Sequence, residues 1–399
     1  MLKQLILSFQ KIPIAFLQLQ HQKSQTLAAI LGIAFSVVLL FMQIGFYSAF
    51  LDGFIELPQS FQGEIFLLNT WSREFLTTFT FSSRHLYQTL KFPEVESVTP
   101  IYRGMVFWRN SQDKTVFHRG IMVLGIPLDS DAIALPGVKE NLDKIKAEKM
   151  VLFDRKARPN LAYITQEFQK NGVVVSEINV PGSGLFQKIQ VKGLFELGAN
   201  TTIDASLIVS ESTFSQLFHR NLNDIDLGII KLKEGTDINK TIAKLQKYLP
   251  LDIKVYSKPD FIAYVKEFYE HGTAMGIIFR FALIGSIVVG IVILYQILYQ
   301  KVSKHLPEYA TLKAIGYSHQ SLVIIVLEEA FLLAFLGYIP GLILSVLVYD
   351  FLAKSTSMSI FMQFNTVLSV LLLTCGICLI SASLAVQKLK EVDPVEIFS

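Results

Sequence analysis

Hydrophobic positions along this chain fall into four long blocks and one long mixed stretch. Thr26 to Phe50 carries no charged residue, nor do Phe281 to Gln300 and Ser355 to Gln387; Leu322 to Tyr349 is interrupted only by Glu328 and Glu329. Crossing the hydrocarbon core of a bilayer takes about 20 mostly apolar residues. These runs exceed the ~8–20 residues of ordinary globular helices. The pattern therefore predicts four transmembrane helices, at 26–50, 273–299, 321–349 and 364–387. Ahead of them, Leu2, Leu5, Ile6, Phe9, Ile12 and Phe16 recur at helical spacing with lysines between. That predicts an amphipathic helix over 1–25 lying in the cytoplasmic interface, bent near Pro13. The first span lacks a small-residue cleavage site and is too long for a signal peptide, so it reads as a permanent anchor.

Between the first two spans the period changes. Strand-like segments occur at Val95 to Tyr102, Gly104 to Arg109, His118 to Leu124, Val173 to Val180 and Phe186 to Phe195, with helical pattern at Arg84 to Lys91. A strand at Ile225 to Leu232, a helix at Asp237 to Leu249 and a strand at Asp252 to Tyr256 form the clearest local unit. The fold class is thus a four-helix membrane protein with a large mixed α/β extracytoplasmic domain, 51–259, inserted between its first and second spans. Helix 260–272 places Phe261, Tyr264, Val265, Phe268 and Tyr269 on one face. It reads as a stalk running through Gly272 into the second span. The remaining segments are a cytoplasmic loop at 300–320, a short external loop at 350–363 and a cytoplasmic tail at 388–399.

Composition supports this division. The 399 residues are 51% hydrophobic and 17% charged, with a mean hydropathy of +0.45; soluble domains carry about 25% charge. Disorder is excluded by the apolar content, and a net charge of +3 argues against a basic nucleic-acid binder. Residues 51–272 hold 26 basic and 26 acidic residues, so the excess belongs to the membrane part. Lys3, Lys11 and Lys23 precede the first span, Lys301, Lys304 and Lys313 occupy the 300–320 loop, and Lys388 and Lys390 follow the last span. Short basic loops stay inside, which places both termini and the 300–320 loop in the cytoplasm and the insert outside.

Candidate chemistry is sparse. No Gly-Lys pair exists, so the phosphate-cradling loop of many ATPases is absent; His-Glu-x-x-His and Gly-x-Ser-x-Gly are absent too. Gly182-Ser183-Gly184 reads as a turn. Cys375 and Cys378 lie within the fourth span and read as small packing residues beside Gly376, Ser381 and Ser383. No catalytic, metal or cofactor site emerges. Within the spans, Glu328, Glu329 and Gln43 are polar candidates, with pairing or interhelical hydrogen bonding favoured over a proton or substrate path. Arg280 is placed to snorkel, and Gly337, Pro340 and Gly341 predict a kink or a close helix approach.

The 300–320 loop is the most specific stretch. Pro307 suits the first position of a helix, Glu308 its positive end and Gly316 a left-handed cap. A self-contained helix of about nine residues is predicted, with Tyr309, Leu312 and Ile315 as apolar anchors and Glu308 and Lys313 charged nearby. A loop that only turned around would not need one, so a docking role to a cytoplasmic partner is expected.

The run Pro307-Glu308-Tyr309-Ala310-Thr311-Leu312-Lys313-Ala314-Ile315-Gly316-Tyr317-Ser318 resembles the signature of the FtsX-like/MacB permeases, an acidic residue before a Leu-(Arg/Lys)-Ala-x-Gly core. The order of one span, a large external domain and three spans is similar to that family as well. Phe41 to Phe46, Tyr295 to Tyr299, Gly337 to Gly341 and Asp393-Pro394-Val395-Glu396 further resemble the cyanobacterial DevC-type branch of these ABC exporters. The loop departs from many members in lacking an arginine before the acidic residue; Lys304 and His305 stand nearby instead.

The resemblance implies a dimeric permease subunit in the plasma (inner) membrane with its large domain in the periplasm. It is not itself an enzyme and holds no cofactor, since ATP and magnesium are bound by a separate ABC ATPase subunit. Glu308, Tyr309, Leu312, Lys313, Ile315, Gly316 and Tyr317 would couple to that ATPase, and its motion would be passed to the external domain by mechanotransmission. Further implied partners are a periplasmic adaptor, an outer-membrane channel of TolC type and lipid-like cargo, a glycolipid in the DevC branch. The alternative is an FtsX-like signalling protein that activates an envelope enzyme without transport.

Overall fold

The computed structural model describes residues 23–73, 79–109, 117–356 and 362–387. Helix α1, Lys23–Ser60, is followed by β1, Ile65–Asn69, β2, Phe81–Ser82, and α2, Ser83–Gln88. Strands β3, Val95–Arg109, β4, Phe117–Ile126, and β5, Met150–Asp154, lead to α3, Ala162–Asn171. Next come β6, Val174–Asn179, β7, Phe186–Phe195, β8, Ala205–Ser210, and α4, Glu211–Phe218. The domain closes with β9, Asp224–Ile225, β10, Leu227–Leu232, α5, Ile238–Tyr248, β11, Ile253–Ser257, and α6, Lys258–His271. Four helices complete the described residues: α7, Ala274–Lys304, α8, Leu306–Ala314, α9, His319–Thr356, and α10, Phe364–Ala385. The chain divides into two compact units, one of residues 1–48, 278–352 and 360–399, the other of 49–277 and 353–359.

The α/β unit is built on a nine-stranded sheet ordered β11-β1-β10-β3-β4-β8-β5-β7-β6. Its first four strands with α2 and α5 have the order of a ferredoxin-like split β-α-β. β1 sits between β10 and β11 and pairs antiparallel with both, Ile65 opposite Ile230 on one side and Ser257 on the other. The predicted strand–helix–strand unit is therefore a crossover spanning β1 rather than a hairpin neighbour pair. β3 is one continuous strand where two were predicted, and its two halves serve different partners. Residues 95–101 pair with β10 and 102–109 with β4. Near its end, Phe107 and Trp108 also pair with Asn179 and Ile178 of β6, so β3, β4, β8, β5, β7 and β6 close into a six-stranded ring. The ring is an insertion between the second and third strands of the ferredoxin-like part, and the two share one core. Trp108 and Phe153, both fully buried, meet edge to face within it at 5.4 Å between centroids.

Two strands of that ring, β5 and β8, escape the sequence pattern. All six residues of β8 are buried, and it runs parallel to β4 from Ala205 opposite Ile121 to Ser210 opposite Ile126. A strand covered on both faces shows no alternation of polar and apolar residues, so period-2 reading passes over it.

Among the described residues, four helices are long and apolar enough to cross a membrane: Lys23–Ser60, Ala274–Lys304, His319–Leu352 and Phe364–Ala385. The first extends ten residues beyond the predicted 26–50, and its last turns bury Leu51, Phe54 and Leu57. In the membrane unit, glycines of α9 let it approach α1 closely. A β-carbon on Gly337 would stand 2.5 Å from Cβ of Ile33, and one on Gly341 2.8 Å from Cβ of Val37. Close approach is thus the use of these glycines, while Pro340 lies inside the helix without ending it. Tyr338 donates to the carbonyl of Val367 at 2.7 Å and Ser381 to that of Ile291 at 3.0 Å, joining α10 to α9 and α7. Cys378 is buried and Cys375 half-buried, both as free thiols. The amphipathic segment before Lys23, the tail from 388 and the Asp393 to Glu396 motif lie outside the described residues.

Candidate functional site

Helix α8 forms with the boundaries its sequence dictates. Pro307 sits in the first turn, where its missing N–H costs no hydrogen bond. At the other end Gly316 takes φ +108°. Tyr317 N–H donates to Leu312 O at 3.0 Å and Gly316 N–H to Lys313 O at 3.1 Å. Those two bonds are the crossed pair of a Schellman cap, which stops the helix and satisfies its last carbonyls.

Tertiary packing then sorts the seven residues assigned to docking. Tyr309 is fully buried in a cluster of the chain's own residues with Val302, Ala310, Leu322, Ile325, Val326 and Val386. It holds α8 in place and is not on the free surface, contrary to its reading as an outward anchor. Leu312 packs against the same cluster and, like Lys313, is half-buried. Glu308, Ile315, Gly316 and Tyr317 are exposed, joined by Pro307, Thr311 and Ala314, which are not among the seven. Ile315 is 72% exposed and Tyr317 41%. Spacing of three and four residues places Glu308, Thr311 and Ile315 on one helical face. The exposed surface is an apolar and hydroxyl-bearing strip with one carboxylate, that of Glu308, which lies 2.9 Å from His305 Nδ1.

Beneath it lies a pair that the sequence did not connect. Glu329 is 1% exposed and accepts from the ammonium of Lys301, itself 4% exposed. Interhelical pairing is thus the structural role of Glu329. Glu328, the neighbouring candidate, and Gln43 are half-buried. Opposite charges standing near the same end of two adjacent spans were the available signal for Lys301.

The five residues assigned to the stalk share a face, and that face is packed on the sheet and on the last turns of α1. Phe261 and Val265 are fully buried, Tyr269 nearly so. Phe261 stacks on Phe66 at 4.8 Å, Tyr264 on Tyr256 at 5.1 Å, and Tyr269 on Phe54 at 3.6 Å between centroids. Phe268 is half-buried and meets Tyr269 edge to face. The helix does not run straight into the next one. It stops at His271, and α7 begins anew at Ala274 with Thr273 as its cap, Oγ1 accepting from Gly276 N–H at 3.1 Å. A β-carbon at Gly276 would press to 2.6 Å on the carbonyl oxygen of Glu270, so the chain turns a tight corner there. Gly272 and Thr273 hence interrupt the continuous stalk that periodicity predicted.

Helices long and apolar enough to cross a membrane flank a folded α/β domain, and a short C-capped helix stands between the second and the third of them. Residues 26–248 match the family model of the MacB-like periplasmic core domain, and residues 280–394 match that of the FtsX-like permease C-terminal. The chain belongs to this family of FtsX-like permeases with a MacB-like periplasmic core. Among solved structures it is similar to the periplasmic region of MacB from Actinobacillus actinomycetemcomitans, at 12% identity and a TM-score of 0.36, over 55% of this chain and 96% of that one. It is also similar to the extracellular domain of the noncanonic ABC-type transporter YknZ from Gram-positive bacteria, at 13% identity and a TM-score of 0.32, over 49% of this chain and 98% of that one. No curated protein matches the chain.

Proposed function

We propose that this chain is the permease subunit of a tripartite ABC exporter, driven by a separate ATPase that binds ATP and magnesium. The observation that carries the reading is the outward strip of α8: a helix pinned by its own buried tyrosine and stopped by a C-terminal cap, yet leaving Ile315 and Tyr317 uncovered. Large apolar side chains held out on a rigid element are the usual anchors of a protein interface. Basic short loops favour the cytoplasmic side for this strip, where an ATPase would meet it. In this scheme two copies of the chain pair with two ATPase subunits. The periplasmic domain meets an adaptor and a TolC-type outer-membrane channel, and lipid-like cargo such as a glycolipid is moved outward.

Ile315→Asp tests the docking assignment. Substitution at an exposed position leaves folding within about 0.5 kcal/mol, whereas a charge placed at an apolar anchor of an interface costs about 2 kcal/mol or more of binding. The ATPase subunit that co-purifies with the full-length chain is expected to be lost in this variant. Unchanged co-purification and unchanged stimulated hydrolysis would show that α8 docks no ATPase.

A further inference from the structure

The buried pair Lys301–Glu329 stands at the base of α8, and its place in the hydrogen-bond ladder gives it a consequence for docking. Lys301 lies in the last turn of α7, and its main-chain carbonyl accepts from His305 N–H at 3.1 Å. The carbonyl of His305 in turn accepts from Tyr309 N–H at 3.0 Å. The residue that holds the ion pair therefore leads, bond by bond, into α8. Glu329 lies about three turns into α9, the helix that supplies Leu322, Ile325 and Val326 to the cluster around Tyr309.

Two kinds of contact thus set α8 against α9: its own apolar packing, and the ion pair that ties the end of α7, from which it continues, to α9. Apolar packing of Tyr309 and Ala310 is non-directional and would tolerate rotation or sliding of a nine-residue helix. An ion pair closed off from water has a fixed geometry, because either charge alone at that depth would be costly. We propose that Lys301 and Glu329 are positioning residues. Their pair latches α7 to α9 and sets the orientation in which α8 presents Glu308, Thr311, Ile315 and Tyr317 to the ATPase. This inference rests on the docking reading above.

The test uses full-length chain in nanodiscs with two readouts. One is the affinity for the co-purifying ATPase subunit; the other is the mobility of a nitroxide on Ile315→Cys, without ATPase, in a background with Cys375 and Cys378 replaced by serine. Lys301→Met and Glu329→Gln are each expected to weaken ATPase binding by about tenfold and to loosen the label. The charge-swapped chain, Lys301→Glu with Glu329→Lys, should restore both readouts to within about twofold. Lys301→Met with Glu329→Met fills the space without burying a charge, so it stays folded while keeping the defect.

Wild-type affinity and label mobility in the folded double-methionine chain would overturn the latch. So would a swap that restores folding without restoring affinity. If the wild-type chain binds no ATPase, the docking reading fails instead, and label mobility alone then decides whether the pair orients α8.

Discussion

The hydroxyl of Tyr349 in α9 donates to the main-chain carbonyl of Phe41 in α1, and its ring occupies the space that a β-carbon on Gly45 would need. Together with Gly337 on Ile33 and Gly341 on Val37, this makes three successive points at which a glycine on α1 or α9 leaves room for a side chain of the other helix. Between helices in lipid, such packing replaces the hydrophobic drive that operates in water.

Tyr349→Phe is expected to lower stability by about 0.5–2 kcal/mol, the range for interhelical hydrogen bonds in membranes. Gly45→Ala should cost more, since the tyrosine is buried and cannot swing away without giving up its bond. Combining Gly45→Ala with Tyr349→Ala should recover part of the loss. Denaturation in mixed micelles would read all three; a Gly45→Ala chain as stable as wild type would contradict the close approach.

Tyr309 and Gly316 shape α8 from within. Tyr309→Ala leaves a cavity among Leu322, Val326 and Val386 and should destabilise by about 3–5 kcal/mol, as for other large aromatic truncations. Gly316→Ala forces a side chain into positive φ and should cost more than about 1 kcal/mol. Neither removes an exposed anchor, so ATPase binding should fall only in step with folding. Loss of binding by Tyr309→Phe at full stability would place the tyrosine hydroxyl in the interface after all.

Alkaline stability should report on Tyr102. It is buried in the α/β core, and its hydroxyl donates to Leu222 O at 2.8 Å. Burial, helped by the Glu211 carboxylate, pushes its pKa above the ordinary tyrosine value. Above about pH 10 the unfolded chain releases this proton while the folded chain keeps it. Tyr102 therefore contributes stability that is complete below pH ~10 and declines as pH rises through the folded pKa. Tyr102→Phe should lose about 1 kcal/mol at neutral pH and show a shallower decline between pH 10 and 11; an unchanged slope in thermal unfolding would refute this.

Helix α1 runs uninterrupted from Lys23 to Ser60, whereas Gly272 and Thr273 separate α6 from α7. Two glycines inserted after His271 would lengthen an existing corner. The same insertion after Ser48 would cut a helix whose interior residues each forfeit about 1 kcal/mol when replaced by glycine. The expectation is that the α1 insertion separates ATP hydrolysis from export and the His271 insertion does not. Export assays on membrane vesicles would decide, and the reverse ranking would give the coupling role to α6.

By itself the sequence determined what depends on neighbours along the chain. Run length sets the spans, because hydrocarbon thickness sets helix length. Pro307 and Gly316 set the ends of α8, because proline lacks an N–H and glycine alone enters positive φ freely. Alternation set strands such as β7, found at Phe186–Phe195 where it was expected. Tertiary structure alone decided what depends on partners far away in sequence. It closed the ring through Trp108 and Ile178 and paired Glu329 with Lys301. It also turned Tyr309 inward while leaving Ile315 outside. An apolar side chain on a helix can serve a core or a partner equally well, and only the packing around it selects between them.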